Sequence, residues 1–204
     1  MSGLSVPPAL LVAGLGRCGT SLLMQMLAGA GLPCVGEFPA YEVPELDHRE
    51  PPLAWLEAQR GKAMKVLNPH LTTIPPEFEA PVIWLDRNLR DQAKSQAKFA
   101  CAMMGADPVS GVHLTRWTKG LRQERRQALL ALAGRPRLIL RFELLIHDPS
   151  MASRQIAAFL WPWWPGLRPE RLASAARPRP SGAACAPDLA MELALVAEAE
   201  AGGR

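Results

Sequence analysis

Leu10-Leu11-Val12-Ala13-Gly14-Leu15-Gly16-Arg17-Cys18-Gly19-Thr20-Ser21-Leu22-Leu23 is the stretch whose reading decides the fold. An apolar run of strand length passes through a glycine-rich turn into a segment where Leu22, Leu23, Met26, Leu27 and Ala30 recur at helical spacing. Glycines in that turn let the backbone approach an anion, and a helix opening at Thr20 and Ser21 offers unbonded N–H groups and the positive end of its dipole. The stretch is therefore expected to hold a phosphate or sulfate, with Gly16, Arg17, Cys18, Gly19, Thr20 and Ser21 as the contacting residues. Arg17 is its only cation, and a guanidinium fork can meet an oxyanion with two donors.

Working outward, apolar runs recur at residues 9–14, 63–67, 81–86 and 137–142, separated by helix-like segments. That alternation predicts an α/β fold with a mainly parallel sheet. Helical spacing runs through Asn88–Met104 and again through His113–Ala133, whose charged face with Arg122, Glu124, Arg125 and Arg126 reads as solvated. Trp161-Pro162-Trp163-Trp164-Pro165 cannot form an ordinary helix and is expected to cap the core or meet a partner. Residues 177–188 read as a loop, followed by a short Ala- and Glu-rich helix to about residue 200.

A chain of 204 residues with 49% apolar content predicts a single domain, residues 1–8 and 177–204 being peripheral. The excess of 23 basic over 19 acidic residues suits a protein that handles a polyanionic small molecule. No basic stripe with interleaved aromatics is present, so no nucleic-acid partner is expected. Cysteines at 18, 34, 101 and 185 show neither metal-site nor disulfide spacing, which predicts no metal and a reducing, cytoplasmic setting. The N-terminal apolar run lacks a basic flank and is interrupted by Pro7, Pro8 and Gly14, and no stretch is long enough to span a bilayer.

Gly14 and Gly19 have the G-x-x-x-x-G spacing of a nucleotide P-loop, but the lysine that should follow is Thr20. The loop instead resembles the P-R-S-G-T-[ST]-L-L phosphosulfate loop of sulfotransferases, particularly the bacterial and tyrosyl-protein branches, with Gly16 and Cys18 in place of proline and serine. Val82-Ile83-Trp84-Leu85-Asp86-Arg87-Asn88, followed by Ser95, resembles the second signature of that family. Arg141-Phe142-Glu143-Leu144-Leu145-Ile146-His147-Asp148-Pro149 resembles its later E-D-L-x-x-D-P run, and the three occur in the family's order. The resemblance implies a three-layer sandwich around a central parallel sheet, the P-loop NTPase-like sulfotransferase fold. It implies 3′-phosphoadenosine 5′-phosphosulfate (PAPS) as co-substrate and the bisphosphate PAP as product, with Arg87 and Ser95 clamping the 3′-phosphate. Independently of likeness, an Arg at a strand's carboxyl end and a Ser about two turns along the next helix can reach one phosphate. The alternative reading makes Arg87 a partner of a neighbouring carboxylate and Ser95 a surface residue.

Sulfuryl transfer needs positive charge on the leaving oxygen and a base for the acceptor's proton. Arg17 is the candidate for the first role, together with Lys65, which interrupts an apolar strand and resembles the family's strand lysine. Glu37 is the preferred base because Gly36-Glu37 looks like the glycine–glutamate pair of the tyrosyl-protein enzymes. His70 is the runner-up, although Leu67 occupies the place of the cytosolic enzymes' histidine, and Glu42 is the third option. Glu143 and Asp148 read as organisers of helix starts. Cys18 among amides and one Arg is considered as a low-pKa thiol, and Arg177-Pro178-Arg179-Pro180-Ser181-Gly182 as a second source of 3′-phosphate contacts. Expected partners are a small-molecule or peptide acceptor, met by loops at about 38–60 and 105–115, and, as one arrangement, a second copy in a homodimer. Two other functions fit the loop: a P-loop kinase or ATPase with Asp86 at the metal and Arg17 replacing lysine, or a non-catalytic relative that binds nucleotide or a partner.

Overall fold

The computed structural model describes residues 6–47, 49–104 and 111–176. The four apolar runs form strands β1 (Leu10–Gly14), β2 (Ala63–Leu67), β3 (Val82–Asp86) and β4 (Arg137–Arg141). Around them stand helices α1 (Thr20–Gly29), α2 (Leu53–Glu57), α3 (Leu89–Met104), α4 (Gly111–Ala131), α5 (Phe142–His147), α6 (Pro149–Leu160) and α7 (Pro169–Ala175). All strands pair in parallel, in the order β2-β1-β3-β4, with Val12 opposite Lys65 and Ile83, and Asp86 opposite Arg141.

Because strand side chains alternate between faces, each apolar run supplies two cores. Leu11, Ala13, Met64, Val66, Val82 and Trp84 pack with Ala93 of α3 and Leu121 and Ala128 of α4. Leu10, Val12, Ile83 and Leu85 pack on the other face with Leu23, Met24 and Leu27 of α1, Ile156 and Leu160 of α6, and Leu172 of α7. Burial of each such side chain stabilises by about 1.5–3 kcal/mol. The result is the expected three-layer α/β architecture.

The chain leaves β1 toward β2 on one side and leaves β3 toward β4 on the other. Connections that diverge in this way open a crevice at the carboxyl ends of β1 and β3. Asn88 starts α3 there, its Oδ1 accepting from the N–H groups of Arg90 (3.0 Å) and Asp91 (3.3 Å). Asp148 caps α6 in the same manner, accepting from Met151 N–H at 2.8 Å ahead of Pro149 at the first helical position.

The structure corrects one sequence expectation and adds two elements. Arg125 is not part of a purely solvated face: its Nε lies 2.7 Å from Asp86 Oδ1 and its Nη2 2.7 Å from Oδ2, joining α4 to the end of β3. Helices α2 and α7 are too short to show a periodic apolar stripe in sequence. The tryptophan cluster lies in turns after α6, with Phe159 and Trp163 meeting edge to face at 5.9 Å. Residues 105–110, the Arg177–Gly182 segment, Cys185 and the C-terminal Ala- and Glu-rich stretch lie outside the described residues. Among the described residues no helix is long and apolar enough to cross a membrane, and no group of three His, Cys, Asp or Glu could hold a metal ion.

Candidate functional site

The turn after β1 is wired from outside by its neighbours. Gln92 Nε2 donates to the carbonyls of Leu15 (3.3 Å) and Gly16 (2.8 Å), Gln96 Nε2 donates to Gly16 (3.1 Å), and Arg87 Nη1 donates to Arg17 (2.8 Å). Asn68, just after β2, accepts from Gly16 N–H at 3.1 Å and returns its own N–H to Gly14 at 2.9 Å. With those carbonyls held outward, the turn is fixed before any ligand arrives, which lowers the ordering cost of binding. Cys18 N–H bonds Leu15 at 3.2 Å, so the amides of Gly16 and Cys18 are engaged within the protein. The first α1 ladder bond runs from Leu23 N–H to Gly19 at 3.2 Å, placing the N–H groups of Thr20, Ser21 and Leu22 ahead of the ladder. Such amides can hold an anion, although the Thr20 N–H also meets the Cys18 sulfur.

Gly19 caps α1 at φ 101°, and a β-carbon there would stand 2.3 Å from a ring carbon of Phe142. Both facts require glycine. Arg17 adopts φ 67°, an uncommon conformation for a side chain of its size, and stacks 5.3 Å from the Phe99 ring centroid. Cys18 is 1% exposed; burial pushes its thiol up to about 12, although nearby N–H groups, Lys65 and Arg87 act in the opposite sense. This corrects the low-pKa reading, since desolvation of the thiolate outweighs the local positive field.

The carboxyl end of β3 meets the same turn. Arg87 is buried, its guanidinium 4.6 Å above the Phe142 ring and bonded to the Arg17 carbonyl. Ser95 is buried on α3, one turn beyond Gln92 and next to Gln96, the two side chains that touch Gly16. Glu143 accepts from Asn88 N–H at 2.8 Å and so ties α5 to the start of α3. Asp86 is occupied by the Arg125 fork, the opposite of a carboxylate presented to a magnesium ion.

Lys65 is 3% exposed although β2 is an edge strand. Its Nζ donates to Ser21 Oγ (3.1 Å), to the Ala40 carbonyl and to the Glu42 carboxylate, with which it forms an ion pair. Burial lowers the lysine's pKa below 10.5, and the Glu42 charge and hydrogen bond oppose the shift. The segment from Gly36 to Glu42 is held by Tyr41 N–H on the Glu37 carbonyl (2.7 Å) and by Gln25 Nε2 on Pro39 (2.8 Å). Gly36 has φ 81°, and a β-carbon there would meet the Glu42 carbonyl at 2.6 Å. Of the three base candidates, Glu42 is brought to Lys65, Glu37 stands exposed at the start of the same segment, and His70 sits half-buried in the turn after β2.

Asn68, Gln92, Gln96 and Phe142 were not singled out as site residues by the sequence. Gln92 and Gln96 had a signal: two amides four residues apart among Ala93 and Ala97, on the face of α3 that carries Ser95.

No protein-family model and no curated protein sequence matches the chain. Among solved structures, a sulfotransferase from Alicyclobacillus acidocaldarius superposes with TM-score 0.50 at 16% identity, over 94% of this chain and 96% of that one. Retinol dehydratase, crystallised with androsterone and the inactive cofactor PAP, gives TM-score 0.47 at 17% identity over 85% of this chain. The chain spans 64% of the length of retinol dehydratase. With its parallel β2-β1-β3-β4 sheet between two helical layers, this chain has the sulfotransferase fold.

Proposed function

We propose that this chain transfers a sulfuryl group from PAPS to a hydroxyl or amine of a small-molecule or peptide acceptor in the cytoplasm, releasing PAP. The observation that carries the reading is the bond between Arg87 Nη1 and the Arg17 carbonyl at 2.8 Å. It joins a buried guanidinium after β3 to the amide cradle after β1, so that two phosphates of one nucleotide can be held at once. The donors fit: N–H groups and a helix dipole for the 5′ end, and a guanidinium with a hydroxyl for the 3′ end.

When bound, the phosphosulfate supplies the transferable sulfuryl group. Arg17, Thr20 and Ser21 hold the 5′ oxyanions, while Arg87 and Ser95 hold the 3′-phosphate. Lys65, adjacent to Ser21, neutralises charge on the leaving oxygen, and Glu42 keeps that lysine cationic and directed. Glu37 accepts the acceptor's proton. Isothermal titration with adenosine 3′,5′-bisphosphate and with magnesium-ATP tests the reading: tight bisphosphate binding with weak ATP binding is expected, and the reverse preference overturns it.

A further inference from the structure

A groove of about 570 Å³ runs between the start of α3 and the first half of α4, lined by Arg90, Leu114, Thr115, Thr118, Lys119 and Arg122. The Arg125–Asp86 contact fixes its level. α4 leads back to the start of β4, so it runs against the strands, and its residues before Arg125 project past the sheet's carboxyl edge. Arg122 and Lys119 therefore stand about 4.5 and 9 Å beyond Arg125 along the helix axis at 1.5 Å per residue. Arg90 reaches the groove from three residues after Arg87. The groove thus opens on the same edge as the phosphate turn.

Two other cations near this edge have carboxylate partners, Arg125 with Asp86 and Lys94 with Asp91. Among the described residues, no carboxylate pairs with Arg90, Lys119 or Arg122. Three cations without a carboxylate partner gathered on one concave surface focus a positive field. A space of this size matches a small molecule.

We propose that the groove binds the anionic part of a small polyanionic acceptor, its carboxylates, phosphates or sulfates on Arg90, Lys119 and Arg122, while a hydroxyl enters the crevice. This assignment rests on the sulfuryl-transfer reading for the role of that hydroxyl. The probe is hydroxypyrene trisulfonate, a fluorescent trianion with one hydroxyl, followed by anisotropy on protein saturated with adenosine 3′,5′-bisphosphate. Binding should weaken by about tenfold or more in R90E/K119E/R122E, the scale set by losing one hydrogen bond to a charged group. It should change less than about twofold in R168E/R171E, which alters net charge away from the groove. Citrate or inorganic pyrophosphate should displace the probe, the first indicating carboxylate and the second phosphate recognition. Equal weakening in the two variants, no binding, or displacement by neither anion overturns the proposal. Bisphosphate affinity of the wild type reports separately on the nucleotide site: its loss removes the sulfuryl-transfer reading, whereas trianion binding without bisphosphate still tests the groove.

Discussion

The turn after β1 and the turn after β3 face one crevice but are built to hold charge by different means. In the proposed reading the first works through main-chain amides, its turn held in shape by the side chains of Asn68, Arg87, Gln92 and Gln96. In the proposed reading the second works through the buried side chains of Arg87, which stacks on Phe142, and Ser95. A backbone cradle recognises any tetrahedral oxyanion, whereas a positioned guanidinium and hydroxyl demand a second phosphate at a set place. On this proposal generality therefore resides at β1 and selectivity at β3.

The largest expected effect should leave both grips intact. Glu37→Gln should lower kcat by about 10²–10⁴, the usual contribution of a general base, with bisphosphate affinity unchanged; steady-state rates beside calorimetry measure this, and full activity would move the base to Glu42, His70 or the acceptor. Gly19→Ala, which forces a β-carbon into Phe142 at a positive φ, should destabilise the protein by about 2–5 kcal/mol in urea denaturation, combining backbone strain and overpacking. Arg87→Ala should weaken bisphosphate by about 1.5–3 kcal/mol and inorganic sulfate at the cradle by clearly less, and an equal loss for both ligands would erase the distinction drawn above. Gln92→Ala should cost about 1–2 kcal/mol of stability by leaving loop carbonyls without their donor.

Glu42→Gln should produce the smallest change. Removing the charge that opposes burial lets the pKa of Lys65 fall further, so the alkaline limb of the kcat/KM profile should move to lower pH. The sign for stability follows from the same shift. A lysine with its folded pKa below the unfolded value of 10.5 leaves the folded state with fewer protons between those two values, so stability rises with pH across that window.

The strands were legible because a parallel sheet buried on both faces leaves uninterrupted apolar runs, and the observed strands differ from the expected spans by one residue at their ends. The cradle was legible for a related reason: its requirement is conformational, and glycine is how a sequence records that. Arg87 and Ser95 are named through the resemblance to a family signature, but the reach between them and the turn depends on β1 and β3 being neighbours, which pairing alone decides. In sequence Lys65 only interrupts an apolar strand; the segment from Ala40 to Glu42 folds over the edge strand and engages it, and no local pattern encodes that closure. Asp86 and Arg125, separated by 39 positions, met for the same nonlocal reason.

Phe142 follows directly after Arg141, the partner of Asp86 in the β3–β4 ladder, and so falls beside Arg87 as the next rung. The outermost strand thereby acts as a ruler: one slip in its alignment would turn the aromatic platform to the opposite face and withdraw support from Gly19 and the guanidinium together. An edge strand contributing little to the core still sets the calibration of the whole crevice, so a change in the length of β4 would displace that platform.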